Sequence, residues 1–467
     1  MKTLEDTLTQ FPNLEINEEY KYILNLLIDK NKKKEPCFIN VLGKAGCGKS
    51  TLLKIINTLL SDENIMITAS TGVASALLNQ DKSIKATTLH TALALKSRPF
   101  YLCDSTEYTK NINNIVDNIM NTDYLIIDES SMISASLFDM IIHTFLVIKH
   151  ELPSIILFGD IFQLPPVLAK NQLDDLAKDY IKEEYNNNLY YFNSPTYKSC
   201  NFYNIELKKI YRQQNDILFT NILNGIRNKT ITIPQLKLLN QRANEDIIND
   251  FLDENESVIY LCSTKNKANE INDMCKSVLT SVEHTIPSKI SGNWLDTDEY
   301  KSGYFPMELK LKIGEIIMVT KNIYVGEGEH KELYCSNGTI GTFEKLTTEA
   351  IVLKDNMGKI FYVPKSKVES FQYITEKDEN DKPKVKSNSV GTWENFPVVS
   401  ANAITIHKSQ GQTIPKGVIE LEDWTAPHGI YVALSRFRSI NDFILTRPLR
   451  FDDLHLSAEA MKFQDKI

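Results

Sequence analysis

Gly43-Lys44-Ala45-Gly46-Cys47-Gly48-Lys49-Ser50 is the stretch whose reading decides the fold. It fits G-x-x-x-x-G-K-[ST], a phosphate-binding loop, and its surroundings fit as well as its letters. The short apolar run Cys37 to Leu42 precedes it and reads as a buried strand. Behind it Leu52, Leu53, Ile55, Ile56, Leu59 and Leu60 recur at helical spacing, so a helix begins at about Lys49. Glycines let the backbone curl until its N–H groups face phosphate oxygens, and the helix N-terminus adds a positive dipole end. Gly43, Ala45, Gly46, Cys47, Gly48, Lys49, Ser50 and Thr51 are thus the expected nucleotide contacts. Lys49 reaches the β- and γ-phosphates, and Ser50 is placed to hold Mg²⁺. By chance the bare pattern arises in on the order of one chain of this length in a hundred, and the flanking strand and helix lower that further. The stretch implies a nucleoside triphosphate.

Two further apolar strands deliver chemistry at their carboxyl ends, where ligands gather in open α/β sheets. Tyr124 to Ile127 leads to Asp128-Glu129. Asp128 is expected to hold Mg²⁺, and Glu129 to orient and activate the attacking water. Ile155 to Phe158 leads to Gly159-Asp160-Ile161-Phe162-Gln163-Leu164-Pro165-Pro166. Gln163 is placed to hydrogen-bond the γ-phosphate or its water, and the two prolines stiffen the chain that follows. Between these elements, Ile65 to Ala69 opens into Ser70-Thr71-Gly72, hydroxyls and small residues suited to gripping a phosphodiester. Ser97 to Thr109, with Pro99, Phe100 and Tyr101, breaks the strand–helix alternation and reads as a small projecting insertion.

A second α/β layer begins near Val258 to Cys262, is interrupted, and resumes at Val398. Its later strands are expected at Ile404 to Ile406, Val418 to Leu421 and Phe443 to Thr446. The interruption holds short β segments from Thr339 to Tyr373, with an Asn356-Met357-Gly358 turn and no helical period, which suggests a small barrel. Glu376 to Lys386 is a charged tract read as a solvated loop or hairpin.

The chain has 467 residues, 42% hydrophobic and 24% charged, an ordinary globular balance. Its seven cysteines are scattered and never C-x-x-C, which argues against a disulfide framework or zinc site and for a reducing compartment. Neither a membrane-length apolar run nor a signal or transit leader is visible, so an intracellular protein, cytoplasmic or at its substrate, is expected. A net charge of −8 conflicts with a globally basic nucleic-acid binder. Any such site must be a local groove of backbone N–H, hydroxyl, aromatic and a few lysine contacts.

The order of motifs resembles a superfamily 1 helicase of the 5′-to-3′ branch, the Pif and RecD-like enzymes, and within it the Pif-like group. The resemblance rests on GKAGCGKST (43–51), ASTGVAS (69–75), TLH (88–90), IIDESSMI (126–133), GDIFQLPPV (159–167), LKKIYRQ (207–213), SNGTIG (336–341), ITIHKSQGQT (404–413) and YVALSR (431–436). It implies an α/β fold of two RecA-like P-loop NTPase domains, with a pin insertion and a β-rich SH3-like insertion. The implied division is a first domain over 1–200 with the small insertion at about 96–111, a second over 201–322 and 396–467, and the β-rich insertion over 323–395.

The same resemblance implies roles. Lys49, Glu129, Gln163 and two arginine fingers, Arg212 and Arg436, carry ATP hydrolysis, with Ser50 and Asp128 on Mg²⁺. Gln410 and Gly411 lie at the nucleotide side. Thr71, Gly72, His90, Pro166, Asn337, Thr405, His407, Lys408 and Ser409 belong to motifs that line a single-strand track, and Phe100 and Tyr101 would form the pin. For His407 the competing reading is a core histidine. The implied activity is an ATP- and Mg²⁺-dependent DNA helicase, monomeric, acting on single-stranded and forked duplex DNA in replication, repair or recombination. G-quadruplexes and RNA–DNA hybrids are further candidate substrates. An ATP-gated nucleic-acid clamp shares every motif and differs only in lacking unwinding. One departure stands out: where the family carries a glutamine that reads adenine, this chain has Tyr20, which cannot make the paired amide hydrogen bonds.

Overall fold

The computed structural model describes residues 2–467 apart from 13, 15, 80, 82, 94, 96–111, 167–181, 183–184, 186–188, 212–215, 255–257, 298–299, 301–302, 327–331, 378–382 and 424. Six parallel strands form the first layer: β1 (Phe38–Gly43), β2 (Ile65–Ala69), β3 (Ala86–Thr88), β4 (Tyr124–Asp128), β5 (Ser154–Gly159) and β6 (Tyr203–Leu207). Their order is β3-β2-β4-β5-β1-β6. β4 and β5 are buried along their whole length, as continuous apolar runs in a sheet covered on both faces must be. The helix Lys49–Leu59 buries Leu52, Leu53, Ile55, Ile56 and Leu59, the stripe expected from its spacing. Because β5 lies between β1 and β4, the phosphate loop, Asp128-Glu129 and the 160–163 turn emerge side by side.

The second layer is a four-stranded parallel sheet in the order Ala403–Thr405, Ile259–Cys262, Gly417–Ile419, Phe443–Leu445. It recruits strands from both sides of the insertion. The two layers are not separate cores. Ile161, Phe162 and Leu164 of the first belong to the same buried apolar cluster as Ile430, Tyr431 and Leu434 of the second.

The insertion is β-rich, as its letters suggest. A five-stranded antiparallel sheet runs Ile360–Pro364, Ala350–Lys354, Ile340–Leu346, Ile316–Val319, Val398–Ser400. It closes on Phe343, Ile351, Leu353, Val363 and Phe396. The sheet reaches past the span 323–395 at both ends, because 316–319 and 398–400 are paired within it. The two ends of the charged tract, 376–377 and 383–386, lie on the paired strands Ser366–Lys377 and Pro383–Asn395, the second of which also pairs with Lys289–Gly292, while 378–382 lie outside the described residues. Strands Glu283–Pro287 and Glu308–Lys312 are short and were not expected from the sequence; the first is exposed or half-buried throughout, while the second buries Leu309 and Leu311. Among the described residues, no helix is long and apolar enough to cross a membrane.

Candidate active site and nucleic-acid groove

The loop after β1 turns through Gly46 and Gly48, both at positive φ (79° and 89°). At Gly48 a side chain would also run into the Tyr20 hydroxyl and come within 3.3 Å of the Tyr211 ring, so glycine is required twice over. Lys49 Nζ donates to the carbonyls of Gly43 (2.7 Å) and Lys44 (3.0 Å), which holds the ammonium across the mouth of the loop. Tyr20, on the helix Glu18–Lys33, is buried, and its hydroxyl donates to the Gly48 carbonyl at 2.7 Å. Burial above all holds its phenol protonated, with Tyr211 reinforcing the shift. The residue in the adenine-reading place is therefore a brace on the phosphate loop.

Asp128 closes β4, and Glu129 follows in the left-handed region at φ 53°. A non-glycine residue held there stores strain at the point where the carboxylate must be aimed. Burial and the adjacent Glu129 charge push the Asp128 carboxyl well above the usual carboxylate range, and Glu129 Oε2 is buried with no hydrogen-bond partner. Two crowded acids short of positive charge are a donor set that a divalent cation fits. Ser50 lines the same pocket, with Lys49, Gln163, Tyr211, Gly411 and Arg436.

The second layer reaches this pocket through one loop and one short helix. In the loop after Ala403–Thr405, Gln410 Nε2 donates to Gln163 Oε1 at 2.8 Å, and Gly411 comes against the Glu129 carboxylate. Arg436 follows the helix Gly429–Leu434 and is buried. Its guanidinium donates to the carbonyls of Ser409 (3.2 Å) and Gln412 (3.4 Å), so the arginine and the loop move together. Arg212 lies outside the described residues, as do Phe100 and Tyr101.

At its other end the same loop faces a groove of about 1050 Å³ between the first layer, the insertion and residues 412–416. Asn337 lines it, and Gly72 packs so near that an added Cβ would lie 3.3 Å from Asn337 Nδ2. Thr71 caps the helix Gly72–Leu78. Lys408 Nζ lies 4.4 Å from the centre of the Tyr304 ring, and burial followed by Lys265 lowers its ammonium to about 8. Burial also lowers the imidazoles of His90 and His407, and His407 Nε2 is buried without a partner. Thr405 Oγ1 accepts from Lys408 N–H at 3.4 Å. Ser409 is fully buried with its hydroxyl donated to Ile406, a position inside the loop rather than on the groove. Pro166 is buried at the end of the described segment after β5.

Sequence reasoning assigned no role to Asp160, Arg227 or Tyr431. Tyr431 Oη donates to Asp160 Oδ2 at 2.8 Å, and Arg227 Nε to Asp160 Oδ1 at 3.4 Å. The first and third of these residues stand within quoted motifs, so a signal existed. Arg227 ends an ordinary amphipathic helix, Ile217–Arg227, and had none.

A phosphate loop on one parallel layer, with an arginine and a glutamine brought to it by a second, defines a two-domain P-loop NTPase of RecA-like architecture. The profile of the PIF1-like helicases matches residues 15–234. Pif1 of Campylobacter jejuni, an ATP-dependent DNA helicase, is 27% identical over 427 residues, covering 85% of this chain and 86% of its own length. Human PIF1 is 27% identical over 421 residues, covering 88% of this chain and 58% of its own. The crystal structures of Bacteroides Pif1 with single-stranded DNA and with ADP-AlF3 and single-stranded DNA superpose with TM-scores of 0.75 and 0.76, at 25% identity over 97% of each chain. Along nearly its whole length the chain is similar to the PIF1-like helicases.

Proposed function

We propose that this chain, similar to the PIF1-like helicases, is an ATP-dependent DNA helicase that translocates 5′-to-3′ on single-stranded DNA and opens forked duplex ahead of it. The observation that carries the coupling is the loop over residues 404–413. One end lines the groove, while the other hydrogen-bonds Gln163 and holds Arg436. A strand seated in the groove therefore biases the residues that face the γ-phosphate, and closure of the second domain completes the site.

Lys49, Gln163, Arg212 and Arg436 are proposed to stabilise charge developing on the transferred phosphoryl group. Glu129, whose Oε2 is unpaired, is the base for the attacking water. Ser50 and Asp128 would hold Mg²⁺, which would supply positive charge to offset that of the phosphates. Gly43 and Ala45 to Thr51 cradle the triphosphate, with Gln410 and Gly411 closing over it. Thr71, Gly72, His90, Pro166, Asn337, Thr405, His407, Lys408 and Ser409 are assigned to the strand-binding side, Ser409 from beneath the loop. Phe100 and Tyr101 are the proposed pin, an aromatic tip that replaces the stacking of a split base pair. The divisions 1–200, 201–322 with 396–467, and 323–395 stand in outline as the proposed domains, except that Tyr203–Leu207 belongs to the first layer's sheet and 316–319 and 398–400 to the insertion's sheet.

Bacteroides Pif1 has been crystallised with single-stranded DNA, and a further Pif1 structure concerns DNA unwinding at forked double-stranded DNA by two coordinating helicases; both support the same partners here. We assign the enzyme to replication, repair or recombination, as an intracellular monomer at DNA, with G-quadruplexes and RNA–DNA hybrids as further substrates. Strand displacement tests the reading. A duplex with a 5′ single-stranded tail should open with ATP and Mg²⁺, and one with only a 3′ tail should not. Opening of the 3′-tailed duplex would reverse the polarity, and DNA-stimulated hydrolysis without opening of either would make the protein a clamp.

A further inference from the structure

The carboxylate of Asp160, wholly buried at the end of β5, joins three elements of the nucleotide site. On its own side it accepts the Phe162 N–H at 3.1 Å, and the Asp160 carbonyl accepts the Gln163 N–H at 2.8 Å. That fixes the turn from which Gln163 projects. The second domain supplies the other partners. Tyr431 Oη donates at 2.8 Å, and Arg227 Nε donates at 3.4 Å while its guanidinium lies 4.4 Å from the centre of the Phe162 ring. Arg227 Nη2 also reaches Glu206 at 3.3 Å. The Tyr431 hydroxyl in turn faces the phosphate loop, with the Ala45 N–H 3.5 Å away. Burial and the Asp160 charge keep this phenol protonated, so it remains a donor.

Removing a partner from a buried charge is far costlier than removing one at a surface. If the second domain withdrew, Asp160 would lose both Tyr431 and Arg227 at once. The contact is therefore made or broken as a unit with closure, and Tyr431 lies on the helix that ends just before Arg436. We propose that Asp160 and Tyr431 are positioning residues that transmit closure of the second domain to Gln163 and to the Ala45 amide. Neither touches the reacting atoms. The role rests on the DNA-stimulated hydrolysis proposed above.

Steady-state ATP hydrolysis tests it, without DNA and with saturating oligothymidylate, for the parent, Tyr431→Phe, Asp160→Asn and the double variant. Each single variant should lose about tenfold in DNA-stimulated kcat, the equivalent of one charge-assisted hydrogen bond. The KM for ATP should stay within about threefold, because nucleotide binding is not what the latch controls. The double variant should be no worse than the more damaged single one, since both break the same contact. Additive losses, a parallel fall of basal and stimulated rates, or stimulated kcat within about twofold of the parent would overturn the assignment. Tyr431→Phe keeps the ring and its packing, so it carries the test should Asp160→Asn fail to fold. A parent protein that DNA does not stimulate would overturn the proposed function itself, a result distinguishable because it precedes any variant.

Discussion

Tyr20→Phe removes one oxygen from the nucleotide site and leaves the packing intact. The lost hydroxyl donates to the Gly48 carbonyl at 2.7 Å. That carbonyl also accepts the Leu52 N–H at 3.0 Å, the first bond of the helix that follows. Deleting the hydroxyl therefore does not orphan the carbonyl, and the penalty is that of one neutral hydrogen bond, about 1 kcal/mol. Gly48 is at φ 89°, a conformation the brace helps to hold while the loop is open. If the full amount falls on loop order, nucleotide affinity should weaken about fivefold. Equilibrium titration with a fluorescent ATP analogue and Mg²⁺ reads this directly, and a thermal melt of the same samples reports the fold. A dissociation constant unchanged within about twofold would refute the brace, because the bond would then contribute nothing to loop order. The same geometry bears on base choice. A hydroxyl committed to Gly48 offers adenine no paired donor and acceptor, so kcat/KM for ATP and GTP should differ by less than about tenfold, and Tyr20→Gln should widen the gap.

Glu129→Gln should keep nucleotide affinity and stall turnover by about a hundredfold or more, since the water loses its base; loss of nucleotide binding instead would mean that Glu129 supports the fold of the pocket. The His428 imidazole is lowered to about 4 by burial, with Asp160 opposing and Arg227 reinforcing, against 6.5 when unfolded. Above pH 6.5 both states are neutral and the stability is whole; as pH falls through that value towards 4 only the unfolded chain takes up the proton, losing about 3 kcal/mol in all. His428→Asn, which tolerates the φ of 64°, should flatten denaturant midpoints between pH 7 and 4, and parallel curves would exclude His428 as the cause. Single-strand affinity should fall as pH rises through about 8, the value to which burial lowers Lys408, because phosphate favours the charged ammonium. Lys408→Met should remove that dependence and reduce the salt slope by about 0.7.

The first layer's share of the nucleotide pocket was legible in the letters, because its groups follow the ends of apolar strands, whereas Gln410 and Arg436 of the second layer came only from the resemblance. A parallel sheet brings such ends to one edge whatever the intervening loops do. Asp128, Glu129 and Gln163 needed only that rule and the phosphate loop beside them. The bond between Gln163 and Gln410 was not legible, since it joins residues far apart in sequence across a domain interface. Tyr20 shows the limit differently. Its position was recognised as a departure from the family, yet its hydroxyl could be assigned to Gly48 only from the packing of the helix Glu18–Lys33. Strands such as Glu283–Pro287 were missed for a plainer reason. Their side chains alternate between exposed and half-buried, so they lack the apolar contrast on which a period of two depends.

The net charge of −8 looks hostile to a polyanion, but the distribution resolves the conflict. The groove is lined by Lys85, Lys354, Lys359 and Lys416 against a single acid, Asp355. Lys408, outside that lining, carries an ammonium packed on an aromatic face, where on the proposed reading a phosphate would meet a partly desolvated charge rather than a hydrated one. Five cations would release counterions with a slope of about −3.5 on single-stranded DNA, well short of what an extensive basic surface gives. If it is the strand's site, such an interface would grip weakly enough to let go at each step. On the proposed function, hydrolysis would then control grip through the 404–413 loop, which touches Gln163 and Arg436 on one side and carries Lys408 on the other. A uniformly basic surface would hold DNA regardless of that loop, so the acidic remainder of the chain is what leaves the loop in charge of the strand.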